Sequence, residues 1–409
     1  MSVVARTRSA VSPLRRPLRG NPVRRPTVDA MVAADRPEEP VHCLRPGVVV
    51  QTARDFVAGF PGDVLYAVKC NPDPAVLRAL WQGGVRHFDC ASLPEIRLVR
   101  TMFPGAAIHF MHPVKARGAI REAWAQHEVR DFVLDSAEEL AKIRAEVAAT
   151  GKCGALGLIV RIALPKGGAM LDLSGKFGAP AAEAVALLQA SRGCAATLGV
   201  SFHVGSQCLD PLAWRDALAL AGRIIAAAGV AIDVVDVGGG FPVTYPDQEP
   251  PPIGAFFAEI EAGFEHLGLP AARLWAEPGR ALVAAGTSVV VQVQARRDSA
   301  LYVNDGVYGS LADAGTLAFR YPARLIRPGG AAAGETIGFS LFGPTCDSAD
   351  VMHGPFVLPA DAAEGDWIEI GQLGAYGACL RTAFNGFDRA RIVEVADDGP
   401  AVGSLRIAA

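Results

Sequence analysis

The sequence predicts an α/β chain in which a (β/α)8 barrel is followed by a C-terminal β domain, a sandwich or small barrel of its own. Two observations predict it. Eight short β-rich runs, at 64–69, 86–90, 107–111, 131–134, 156–162, 198–203, 232–237 and 273–276, alternate with amphipathic helical stretches. From about Leu282 that rhythm stops, and short alternating strands separated by glycine-rich turns take over.

Taken in order, residues 1–40 read as a disordered arginine-rich tail. Arg6, Arg8, Arg15, Arg16, Arg19, Arg24 and Arg25 all precede the first acid, Asp29, amid Ser and Pro. An organelle-targeting peptide has the same composition. Residues 42–50 read as a strand, with 41–50 open to membership of the β domain, and 51–58 as a helix. Helical patterns follow at 74–81, 94–102, 137–150, 181–190, 212–228 and 252–267. Further strands are expected at 288–295, 301–303, 336–342, 366–369 and 390–395, so the barrel spans 41–281 and the β domain 282–409.

Composition narrows the class. Hydrophobic residues make up 51% of the 409 and charged residues 20%, enough for a large core. A net charge of -3 offers no electrostatic case for nucleic acid, and no apolar run has the length of a membrane span. The eight cysteines are scattered, without C-x-x-C or zinc-like spacing. They read as reduced thiols of a cytoplasmic protein, with no metal site.

In a barrel of this kind functional groups collect at the C-terminal ends of the strands. Those ends carry Lys69, Asp89, His112, Asp135, Arg161, His203, Gly238-Gly239-Gly240 and Glu277. A lysine with an apolar strand behind it is desolvated, which lowers its pKa and frees an amine to attack an aldehyde; a lysine that merely snorkels from a strand end is the plain alternative. Three glycines let backbone N–H groups approach a phosphate, although a surface turn needs the same residues. Glu277 at the eighth strand end can keep a heteroaromatic nitrogen protonated, while Gly279 and Arg280 face a phosphate; an internal Glu277–Arg280 ion pair is the competing reading. His203 is either a satisfied core histidine or a ring that stacks on a planar cofactor, and Ser206 can add a phosphate hydrogen bond. Together these parts describe a site for pyridoxal 5′-phosphate, with Lys69 as its Schiff-base lysine.

Several ordered motifs then resemble one family. They are Tyr66-Ala67-Val68-Lys69-Cys70-Asn71, Phe88-Asp89-Cys90-Ala91-Ser92, Ser201-Phe202-His203-Val204-Gly205-Ser206, Asp236-Val237-Gly238-Gly239-Gly240-Phe241-Pro242 and Glu277-Pro278-Gly279-Arg280. In the C-terminal half stand Val303-Asn304-Asp305-Gly306-Val307-Tyr308-Gly309-Ser310, Gly343-Pro344-Thr345-Cys346-Asp347, Gly374-Ala375-Tyr376 and Phe384-Asn385-Gly386-Phe387. From about residue 45 to 395 the chain resembles the eukaryotic-type ornithine decarboxylases, a fold-type III group on an alanine-racemase-like barrel.

The resemblance implies that Lys69 carries the cofactor, Glu277 pairs with its ring nitrogen and His203 stacks on the ring. Asp89 and Arg161 would line the cofactor site. Ser206, Gly239, Gly240, Gly279, Arg280 and Tyr376 would hold the phosphate. Cys346 would return a proton to Cα and Asp347 would bind the substrate's distal ammonium, beside Tyr308 and Phe384. Cys346 and Asp347 would reach Lys69 across a homodimer interface, to act on a basic L-amino acid, ornithine first. Members of that family usually carry a second acid after the Val-Tyr-Gly-Ser motif; here Leu317 and Arg320 stand near its place, and Asp313 comes too early. A non-cationic or other diamino acid therefore remains an alternative substrate, as do racemisation in the same barrel and a cofactor-binding regulatory protein without activity.

Overall fold

Eight parallel strands close into a barrel, and a second sheet of eight strands, mostly antiparallel, stands beside it. The structure is a computed structural model describing residues 25–396, apart from Cys153, Gly168, Asp172, Ser174, Thr316 and Ala332.

The first helix, α1 (Val28–Asp35), is capped by the Thr27 hydroxyl, which accepts the Ala30 N–H. It buries Val28, Met31 and Val32 in a cluster with Val41, Cys43, Val290, Ile326, Trp367 and Val395. This corrects the expectation of a disordered tail through residue 40. The apolar residues at 28, 31 and 32 share one helix face, and a distant sheet supplies their partner. The arginines from Arg6 to Arg24 lie outside the described residues.

Next come β1 (Val41–Leu44) and α2 (Pro46–Gly59). The expected strand to residue 50 is therefore too long. Pro46 opens a helix, where its missing N–H costs nothing, and Val49, Ala53 and Phe56 face inward at helical spacing. The β-branched run Val48-Val49-Val50 imitates a strand only locally.

The barrel strands are β2 (Asp63–Ala67), β3 (His87–Cys90), β4 (Ala107–Phe110), β5 (Asp131–Leu134), β6 (Gly157–Arg161), β7 (Thr197–Ser201), β8 (Val234–Asp236) and β9 (Arg273–Ala276). The helices that follow β2 to β8 in turn are α3 (Pro74–Gln82), α4 (Leu93–Met102), α5 (Arg117–His127), α6 (Ala137–Ala149), α7 (Ala181–Arg192), α8 (Leu212–Ala228) and α9 (Ile253–Glu265); the short α10 (Arg280–Val283) follows β9. Helix α5 escaped the sequence reading because its apolar face is only Ile120, Ala123 and Trp124 amid charged residues. Leu65, Met111, Val133, Ile159, Val234 and Trp275 form a core cluster of their own within the barrel. Several strands stop short of the polar residues at their ends. Lys69 lies in a 3-10 turn, Val68–Cys70, and His112 and His203 lie beyond β4 and β7.

The second sheet uses β10 (Thr287–Arg297), β11 (Ala300–Val303), β12 (Ala323–Ile326), β13 (Thr336–Phe342), β14 (Val351–Pro359), β15 (Trp367–Ile370) and β16 (Arg391–Glu394). Its order is β12-β15-β10-β11-β13-β14, and β1 joins it between β10 and β16. Strands β12 and β14 were not expected: β12 carries Arg324, and β14 is interrupted by Gly354-Pro355. Among the described residues no helix is long and apolar enough to cross a membrane, and no cluster of three or more His, Cys, Asp or Glu could hold a metal ion.

Candidate active site

A cavity of about 450 Å³ opens at the C-terminal end of the barrel strands. Lys69, Asp89, Arg161, His203, Ser206, Gly239, Gly240, Glu277, Gly279, Arg280 and Tyr376 all line it. Parallel register makes this possible: Ala67 lies level with Asp89, Arg161 with Ser201, and Ser201 with Asp236, so consecutive strand ends reach one height.

The 3-10 turn after β2 swings Lys69 over the barrel mouth, where its Nζ lies 2.5 Å from Asp89 Oδ2. Partial desolvation at the cavity disfavours the ammonium, but the side chain is 45% exposed, and Asp89 and Glu277 hold Lys69 above its usual range. The expected depression of this pKa is thus reversed, because two carboxylates face the amine. Asp89 is only 1% exposed and its Oδ1 has no hydrogen-bond partner among the described residues. Glu277 follows β9, and its carboxyl is pushed well above the ordinary range by burial, Asp236 and Asp89. Asp236 itself rises to about 6, chiefly through burial. A cation beside Glu277 would relieve this crowding of acids.

His203 accepts the Gly205 N–H at Nδ1, 3.0 Å away. Burial, then Arg161 and Lys69, keep its ring neutral, with the pKa pushed down to about 3. It presents a flat, uncharged ring to the cavity. The glycine turn follows β8. At Gly238 (φ 65°) a Cβ would sit 2.1 Å from Phe202 O, and at Gly240 (φ 105°) 2.4 Å from Gly205 O. Only glycine fits at these two positions, and Gly239 and Gly240 line the cavity without a side chain between backbone and ligand.

Arg280 is 4% exposed. It donates from Nη1 to Tyr245 Oη at 2.8 Å and from Nη2 to Asp313 Oδ2 at 3.0 Å, while its Nε has no partner. Phe319 and Tyr376 flank the guanidinium at 4.7 and 5.1 Å. The alternative Glu277–Arg280 pair is therefore not made, and Asp313 is the counter-ion of Arg280. Tyr376 holds a left-handed backbone (φ 61°), and its N–H bonds Cys70 O at 2.9 Å.

Cys346, Asp347, Tyr308 and Phe384 do not line this cavity. They form a second cluster on the β domain. Tyr308 donates its phenolic proton to Asp347 and packs against Phe384 with ring centroids 4.9 Å apart. Asn385 Oδ1 accepts both the Cys346 N–H at 3.2 Å and its thiol at 3.4 Å. The Ala349 N–H and the Tyr308 hydroxyl hold the Asp347 carboxyl below its ordinary range. Leu317 packs on the core and Arg320 pairs with Asp247 at 3.5 Å, so neither belongs to the cluster.

Sequence reasoning missed Asp236, Tyr245, Asn385 and the Phe177 ring, which stands edge-on to His112 at 5.2 Å. Asp236 and Asn385 sit inside motifs already recognised, and that adjacency was the available signal. Tyr245 carried none.

The residues fit pyridoxal 5′-phosphate. The glycine cradle with the unpaired Arg280 Nε suits a phosphate, the crowded Glu277 suits a protonated ring nitrogen, and Lys69 suits an aldehyde. Fold and cavity together define a barrel enzyme that works through this cofactor. The chain belongs to the pyridoxal-dependent decarboxylases: the family model described as "Pyridoxal-dependent decarboxylase, pyridoxal binding domain" matches residues 47–284. It is 33% identical over 334 residues to the lysine/ornithine decarboxylase of Selenomonas ruminantium, covering 79% of this chain and 81% of that one. The lysine/ornithine decarboxylase of Vibrio vulnificus in complex with cadaverine superposes with a TM-score of 0.76 at 32% identity, covering 90% of this chain and 97% of the other. The Paramecium bursaria Chlorella virus arginine decarboxylase bound to agmatine gives 0.78 at 27% identity, covering 90% and 99%.

Proposed function

We propose that this decarboxylase acts on a basic L-amino acid of the ornithine and lysine class, as a homodimer in which each barrel cavity is completed by Cys346 and Asp347 of the second copy. One observation carries the reading. The barrel cavity gathers Lys69, Glu277, His203 and Arg280, and Asp347 stands apart from it, on a surface of the β domain that also bears the exposed thiol of Cys346. The related lysine/ornithine and arginine decarboxylases support the substrate class.

When bound, pyridoxal 5′-phosphate supplies an electron sink for the bond to the departing carboxylate. The chain's own groups do the rest. Lys69 would be the residue that holds the cofactor through its aldehyde. Glu277 would keep the ring nitrogen protonated, and the neutral His203 would offer its ring to the cofactor. Gly239, Gly240, Gly279, Ser206, Arg280 and Tyr376 would hold the phosphate, and Asp89 and Arg161 would line the cofactor site. Asp347, ionised through the Ala349 and Tyr308 hydrogen bonds, accepts the substrate's distal ammonium between Tyr308 and Phe384. The Cys346 thiol, oriented by Asn385, gives a proton to Cα after carbon dioxide leaves.

A panel of L-amino acids assayed for carbon dioxide release tests the reading. Ornithine, lysine and arginine should turn over fastest. Faster turnover of neutral or acidic amino acids would overturn the substrate class while leaving the decarboxylase.

A further inference from the structure

A second cavity, of about 420 Å³, lies where the barrel meets the β domain. Thr52 of α2, Ile253 and Phe256 of α9, Ala281 of α10, Ala285, and the segments 242–244 and 249–252 line it, with Gln372 from the loop after β15. It is almost as large as the catalytic cavity, shares no lining residue with it, and plays no part in the chemistry above.

Prolines and aliphatic or aromatic groups line much of it, and Thr52, Thr244, Glu249 and Gln372 are its polar side chains. Gln372 is 4% exposed, with a left-handed backbone (φ 59°). Its Nε2 donates to Thr244 O at 3.4 Å, and its Oε1 is buried without a partner among the described residues. An unpaired buried acceptor costs free energy that a ligand donor would recover. Glu249 is the charged side chain of the lining, and it is exposed. Both features ask for a hydrogen-bond donor, one of them for a cation, across an apolar span. The class of molecule that answers is an aliphatic amine with an ammonium group at one or both ends.

We propose that this junction cavity is a second binding site, for an aliphatic mono- or diamine, with its ammonium toward Glu249 and an N–H toward Gln372 Oε1. The ligand class is read from the walls and does not depend on which amino acid the barrel cavity takes. The site also adjoins the phosphate cradle. Pro242 and Val243 follow the glycine turn, Val243 exchanges hydrogen bonds with Gln207 next to Ser206, and Ala281 follows Arg280.

The test is equilibrium dialysis of the holoenzyme with radiolabelled 1,5-diaminopentane. Wild-type protein should bind one mole more per chain than Glu249→Gln, a surface substitution that spares the fold. Gln372→Met should weaken the same event several-fold. Hexanoate, with the opposite charge, should not compete for it. If the proposed substrate class is wrong, diamine binding in the barrel cavity disappears from both proteins and the difference between them stays. Equal binding by wild type and Glu249→Gln, or competition by hexanoate, would overturn the site.

Discussion

Arg280 and Asp313 form an ion pair at 3.0 Å between the end of the barrel and the connection from β11 to β12 of the β domain, with both side chains buried. The pair leaves Arg280 Nε unpaired while fixing the rest of the guanidinium between Phe319 and Tyr376. Stability and cofactor retention therefore hang on one contact. Asp313→Ala strands a buried cation and should cost about 3–5 kcal/mol. Urea unfolding should show that loss, and pyridoxal 5′-phosphate should dissociate at least roughly tenfold more readily, since 1.4 kcal/mol at the phosphate suffices for that. A variant that keeps wild-type stability and cofactor affinity would remove Asp313 from this role.

Lys69 should carry the cofactor covalently. Borohydride reduction of the holoenzyme, followed by proteolysis and mass spectrometry, should place the label on the peptide containing Lys69. Label on Lys115 or Lys176, which also lie close to the cavity, would contradict the assignment.

Shared sites make a quantitative prediction. Lys69→Ala and Cys346→Ala should each be inactive alone. Mixed and reassociated, they should recover up to about a quarter of wild-type activity, because random pairing gives half hybrid dimers with one intact site each. Verified hybrids without activity would mean that each site is built from a single chain.

His42 links folding to pH. It is 3% exposed, its Nε2 lies 3.1 Å from Ser310 Oγ, and burial pushes its pKa down to about 4. The folded value lies below the unfolded one of about 6.5, so the unfolded chain binds more protons between them. Stability is then fully present above pH 6.5 and falls as the pH drops toward 4, by roughly 3 kcal/mol from this group. Urea midpoints measured across that window should fall less steeply for His42→Gln, whose amide can keep the Ser310 bond. Parallel slopes for the two proteins would assign the acid sensitivity elsewhere.

Much of this molecule was legible along the chain. The alternation of strand and helix patterns depends on periods of two and 3.6 residues, which are local, and it located every barrel strand to within a few residues. Lys69, the three glycines and Glu277 were visible because each follows an apolar strand directly, and strand ends in a closed parallel barrel must share one rim.

Where a local pattern has two meanings, the chain alone chose wrongly. Val48-Val49-Val50 has strand-like residues but lies in a helix, and the face at 28, 31 and 32 looked like part of a tail until β10, β12 and β15 supplied Val290, Ile326 and Trp367 as partners.

The sequence by itself determined the barrel, the β domain and the set of residues that meet at the barrel rim, since these follow from order and spacing along the backbone. Only the tertiary structure decided the counter-ion of Arg280, the upward shift of Lys69 and the separation of Cys346 and Asp347 from the barrel cavity. Arg280 and Asp313 are 33 residues apart in sequence, and Lys69 and Asp89 are 20 apart. Coulomb and hydrogen-bond energies depend on distance in space, and that distance exists only once the chain has folded.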